Sequence, residues 1–161
     1  MHARTKPAAI INTRLLFTIG VLALVGCQST APKVEVIDEP PPKPAMENLL
    51  YLRAVFTWWD AEEQYKVKKV GANVYQAQAR LVADGEYYDF KFADAGWSPD
   101  FNCGYLTKAD EIIESDGPSV KANCNSNGAY FRFNPKQTGT YGFYFDQSNE
   151  VPSVYIKRLA N

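Results

Sequence analysis

Between residues 74 and 156 aromatic and apolar side chains recur at every second position, and that period restricts the chain to half-buried strands. In residues 74–81, Tyr75, Ala77, Ala79 and Leu81 alternate with Gln76, Gln78 and Arg80. In residues 86–92, Tyr88, Phe90 and Phe92 share one face, and Tyr87, Asp89 and Lys91 the other. Ala129, Phe131 and Phe133 alternate with Tyr130 and Arg132, and Tyr141, Phe143 and Phe145 alternate with Thr140, Gly142 and Tyr144. A last strand places Val154 and Ile156 inward. Turn formers separate the runs at Gly71-Ala72-Asn73, Asp84-Gly85, Asp116-Gly117-Pro118, Asn127-Gly128 and Thr138-Gly139. About seven short strands, each with one buried face, predict an all-β fold: an immunoglobulin-like antiparallel β-sandwich. Residues 107–114 alone read as weakly helical, with loop as the alternative.

The chain ahead of these strands has another character. Residues 1–26 hold a basic stretch with Arg4, Lys6 and Arg14, an apolar run from Leu15 to Val25 and a small Gly26, the three parts of an export signal. The run is well short of the roughly 20 residues that a spanning helix takes, so it reads as a segment to be removed. The stretch that follows, to Glu47, has five prolines and no aromatic residue, a composition that extends rather than packs. The expected organisation is a signal peptide over residues 1–26, a tether over residues 27–47 and the β-sandwich over residues 48–161.

Leu24-Val25-Gly26-Cys27 resembles the lipobox of bacterial lipoproteins, in which the cysteine sulfur is diacylated and the preceding bond is cut. The resemblance implies that Cys27 is the lipidated first residue of the mature chain and that a membrane is its partner. Each buried methylene of an acyl chain contributes about 0.8 kcal/mol to that anchorage. By the sorting rule of such lipoproteins, Gln28 in place of Asp implies the outer membrane, facing the periplasm or the surface. An ordinary signal peptide with a chance cysteine is the alternative.

Loss of residues 1–26 leaves 14 basic against 18 acidic side chains, a formal charge near −4, which argues against a nucleic acid as partner. It also removes His2, the only histidine, so a Ser-His-Asp triad, a Cys-His pair and a histidine metal site are excluded. With Cys27 acylated, Cys103 and Cys124 remain. In an exported protein they most simply form a disulfide, with α-carbons roughly 4.4 to 6.8 Å apart; a metal or redox pair is the alternative.

Trp58, Trp59 and Trp97 fall in segments rich in loop residues rather than at the inward positions of clean strands. Flat aromatic faces stack on sugar rings, bases or peptides while a nearby polar group fixes orientation. At least one of the three is nevertheless expected in the core.

The segments Leu50-Tyr51-Leu52-Arg53-Ala54-Val55-Phe56-Thr57-Trp58-Trp59-Asp60 and Gly85-Glu86-Tyr87-Tyr88-Asp89-Phe90-Lys91-Phe92-Ala93-Asp94-Ala95-Gly96-Trp97-Ser98 resemble the accessory β-sandwich module of bacterial pullulanases. That module is related to carbohydrate-binding module family 48 and to glycogen-binding domains. Phe101-Asn102-Cys103-Gly104, the run from Gly139 to Asp146, and Pro152-Ser153-Val154-Tyr155 fit its later motifs. Ala54 and Thr57 depart from the usual glycine and asparagine, at positions that support the fold. The resemblance implies that Trp59, Lys91 and Trp97 hold a glucan, with Trp58 beside them. Many such modules instead pack against a protein partner, so fold alone does not license a sugar.

Other constellations are weaker. The acidic run from Asp110 to Asp116 could serve acid/base chemistry or a hard cation, but it reads better as a solvated loop. Residues 123–128 alternate polar side chains as a calcium loop does, yet their ligands are neutral and Asn134 stands where a bidentate Glu is required. No metal, cofactor or catalytic set is expected. The sequence is read as a membrane-anchored, non-catalytic glycan-binding lipoprotein of α-glucan type; the alternative is a protein-interaction or envelope-assembly lipoprotein.

Overall fold

The computed structural model describes residues 42–160, so the signal peptide, Cys27 and the tether ahead of Pro42 lie outside the described residues. Ten strands form: β1 (Tyr51–Ala54), β2 (Lys68–Lys69), β3 (Val74–Leu81), β4 (Tyr88–Ala93), β5 (Asn102–Tyr105), β6 (Ile112–Ile113), β7 (Val120–Asn123), β8 (Phe131–Phe133), β9 (Gly139–Asp146) and β10 (Ser153–Arg158). One sheet runs β2-β3-β9-β10-β7. In the other, β1 pairs one edge of β4, and the opposite edge of β4 is shared between β5 and β8, with β6 beyond β8. The β5–β7 ladder joins the two sheets. Every ladder is antiparallel except β6–β8.

The inner faces carry the residues that the alternation placed inward. Phe90, Phe92, Phe131, Phe133, Tyr141, Phe143, Phe145, Val154 and Ile156 are all buried. Rings meet across the interior: Phe90 lies 4.9 Å from Phe143, Phe92 lies 5.6 Å from Phe145 and Phe133 lies 5.0 Å from Tyr141. Edge-on and tilted contacts of this kind suit the ring quadrupoles and supplement the apolar burial. The core is thus phenylalanine and tyrosine. None of the three tryptophans is in it, contrary to expectation, because all three lie in connections beyond strand ends.

The strand count exceeds the expected seven for a physical reason. β2 and β6 are two residues long, too short to display a period of two, and β7 buries only Ala122 fully. Residues 107–114 form a 3₁₀ turn at Lys108–Asp110 and then enter β6. Asp110 accepts from the Thr107 backbone and hydroxyl and from Lys121 N, so its carboxylate closes the turn locally instead of propagating an α-helix. Arg132 N donates to Glu111 O and draws the chain into the sheet.

Ordered contacts begin ahead of Asn48. Met46 is buried, Lys43 donates to the carbonyls of Gln147 and Asn149, and Gln147 donates to Pro44 O. Cys103 and Cys124 form a disulfide. Their α-carbons stand 3.6 Å apart, below the expected range. The two positions face each other directly across the β5–β7 ladder, where backbones approach most closely.

Candidate functional site

Phe90 and Phe92 turn into the core, so Lys91 between them points to the outer face of its sheet. There its partner across the β1–β4 ladder is Arg53. Two cations side by side on one face repel, and both side chains are 5 % exposed. Each is stabilised by carbonyl oxygens brought from connecting segments. Arg53 Nη1 donates to Asp94 O (2.7 Å) and Ala95 O (3.2 Å), and its Nε donates to Trp59 O. Lys91 Nζ donates to Ser126 O. The pair therefore gathers the segments after β1, between β4 and β5, and between β7 and β8 over one patch of sheet. Burial lowers the pKa of both groups: Asp60 and Asp94 oppose the shift at Arg53, whereas Lys91 falls to about 8.

All three tryptophans adopt left-handed backbone, with φ of 52° at Trp58, 65° at Trp59 and 57° at Trp97. A bulky side chain there costs about 1–2 kcal/mol, and such strain concentrates at functional sites. Thr57 helps to enforce it at the first pair: its buried hydroxyl accepts from Ala54 N and donates to Ala54 O, closing the Val55–Thr57 3₁₀ turn. At the second site Asp94 Oδ1 accepts from Ser98 N (2.8 Å) and fixes the turn carrying Trp97. The Trp97 ring lies on the Arg53 guanidinium, 3.6 Å from its carbon, which leaves the other ring face for contact elsewhere.

The result is a cleft of about 560 Å³ lined by Trp59, Lys91, Trp97, Asn102, Asn127, Gly128 and Tyr130. Trp59 and Tyr130 are neighbours, their ring centres 6.1 Å apart. Of the residues singled out from the sequence, Trp59, Lys91 and Trp97 come together here. Trp58 does not line the cleft, and it is 87 % exposed. Lys91 has the expected orientation opposite Phe90 and Phe92, but it forms part of a covered floor rather than an open platform.

Sequence reasoning missed Tyr130, Asn102, Asn127 and the Arg53 beneath them as site residues. Tyr130 held an outward position in its strand pattern, and Arg53 was a lone charge in the apolar run LLYLRAVF; both signals were readable. The asparagines weighed as calcium ligands tie loops instead. Asn125 exchanges hydrogen bonds with Asp100, and Asn125 N donates to Asn123 Oδ1. Likewise Asp110 and Glu111 of the acidic run are engaged, the latter with Lys108 at 2.7 Å.

The lowered Lys91 pKa has a measurable consequence. Below pH 8 lysine is protonated in both the folded and unfolded chain, and the cost of burying the charge is constant. Between pH 8 and about 10.5 the unfolded chain binds more protons than the folded one, so this group's contribution to stability rises with pH. Urea denaturation of the parent and Lys91→Met at pH 7 and pH 10 should show the parent gaining on the variant at the higher pH. A gap that does not change with pH would refute the burial of a charged ammonium.

No protein-family model matches the chain, and no curated protein matches it. Among solved structures the fold is similar to AmyP-SBD, a starch-binding domain whose ligand-induced structure is known. The two are 15 % identical with a TM-score of 0.53, over 90 % of this chain and 96 % of that chain. At that identity the likeness is one of fold. It establishes a β-sandwich of carbohydrate-binding-module type and does not extend to the pullulanase-type family.

Proposed function

We propose that this domain is a non-catalytic glycan-binding module, of α-glucan type, carried on a lipoprotein. One observation carries the reading: Trp59, Lys91 and Trp97, which lie on three separate segments, line a single cleft. Its walls are aromatic and its polar groups are few, the combination that suits a ring with apolar C–H faces and hydroxyl edges. The fold shared with a starch-binding domain is in keeping with this reading. The full chain should be retarded in native gels containing glycogen or amylopectin. Unchanged mobility across several α-glucans would move the assignment to a protein partner. That second reading rests on Trp58, whose exposed ring lies outside the cleft.

The anchor belongs to the same proposal and rests on Leu24-Val25-Gly26-Cys27. Acylation of Cys27 would hold the domain at the outer membrane on its proline-rich tether. Cys27→Ala should release the exported protein from membranes and abolish labelling by palmitate. A variant that still sediments with membranes, beside a parent that takes up no label, would count against lipidation; recovery of the parent in the inner membrane would count against the Gln28 sorting.

A further inference from the structure

Asn102 opens β5 with its backbone engaged on both sides. Its N donates to Cys124 O (3.0 Å) and its O accepts from Ser126 N (3.1 Å), while Ala93 is its partner on β4. The side chain is 6 % exposed and lines the cleft. Its carboxamide oxygen Oδ1 nonetheless has no hydrogen-bond donor among the described residues. An unmatched buried acceptor costs about 1–3 kcal/mol, and native proteins hold few of them, so each calls for a partner.

The other polar group of the floor has the opposite deficit. Lys91 carries three N–H donors, and the acceptor it meets is Ser126 O. The cleft therefore presents an acceptor without a donor beside a donor with capacity to spare. A carboxylate or phosphate would satisfy Lys91 but set one acceptor against another at Asn102. An apolar group would satisfy neither. A hydroxyl both accepts and donates, and adjacent hydroxyls on one ring can serve both groups together.

We propose that Asn102 is a specificity-determining residue of this cleft, its carboxamide oxygen accepting a hydrogen bond from a hydroxyl of a neutral glycan. The inference rests on the glycan-binding reading and selects neutral over anionic sugars within it. Asn102 offers the bound sugar an acceptor that the folded domain leaves unused.

The test measures binding of the full chain to maltoheptaose, phosphorylated maltoheptaose and an oligogalacturonate, for the parent, Asn102→Leu and Asn102→Asp. The parent should favour maltoheptaose. Asn102→Leu should weaken maltoheptaose binding about tenfold without lowering the melting temperature, since the orphan acceptor is replaced by an apolar group of similar volume. Asn102→Asp keeps an acceptor and should bind within about threefold of the parent, within the spread of a single retained hydrogen bond. A purely structural role would instead lower the melting temperature of both variants and weaken both alike. Parental affinity in Asn102→Leu, or a preference of the parent for the anionic sugars, overturns the inference and leaves glycan binding standing. A parent that binds none of the three probes removes the glycan reading and this inference together.

Discussion

Trp97→Ala and Trp59→Ala are each expected to abolish retardation of the full chain in glycogen gels, whereas Trp58→Ala leaves it unchanged. The first two rings line the cleft and the third does not. Stacking a sugar on a ring buries apolar area worth about 25 cal/mol per Å². Ordering the ligand and desolvating its hydroxyls offset much of that gain. What remains is small, so loss of either wall should reduce affinity at least about tenfold, on the order of 1.4 kcal/mol. Neither ring belongs to the core, so the circular dichroism of the variants should match that of the parent. At Trp97 the substitution also uncovers the Arg53 guanidinium, whose hydrogen bonds to Trp59, Asp94 and Ala95 keep both loops in place. If Trp58→Ala abolishes retardation while the other two do not, the binding surface lies outside the cleft.

Gly104→Ala should produce the largest loss of stability of any conservative change in the domain. An added Cβ would stand 2.0 Å from Ala129 O and 2.6 Å from Ala129 C, both backbone atoms that cannot rotate away. The cause is the sharing of one edge of β4. Phe90 pairs with Phe131 of β8, and Phe92 pairs with Cys103 of β5, the place that Ala129 would take if β8 continued. The segment before β8 must instead leave the sheet, and it crosses over Gly104. Overpacking in a well-filled region costs about 1–3 kcal/mol and more where backbone must move, so a loss above about 3 kcal/mol is expected. For a domain of this size that corresponds to a fall of about 10 °C or more in melting temperature. Gly128→Ala is the control, because nothing lies within 4 Å of its added Cβ. A Gly104→Ala protein melting with the parent would show that this crossing is not tight.

The inward set was legible because strand alternation is a local property. A period of two assigned Phe90, Phe92, Phe131, Phe133, Tyr141, Phe143 and Phe145 to one face before any pairing was known. The disulfide followed from elimination, since two cysteines remained after Cys27 was set aside for the lipid. Trp59, Lys91 and Trp97 were reached through motifs that mark this type of sandwich, although the motifs also promoted Trp58, which the fold leaves outside the cleft.

Pairing and loop course were decided by the tertiary structure. Arg53 and Lys91 lie far apart in sequence, and only the β1–β4 register places them side by side; a slip of one residue would send one of them into the core. Lys91 was expected to meet ligand at an open surface, but the segment crossing Gly104 brings Ser126 O over its ammonium and covers it. The left-handed backbone of the tryptophans follows no propensity of tryptophan. It is held by Thr57, Asp94 and Arg53 through hydrogen bonds that exist only once the strands have paired. Local chemistry therefore determined which side chains face inward, while the cleft itself arose where three connections converge on two buried cations that need their carbonyl oxygens.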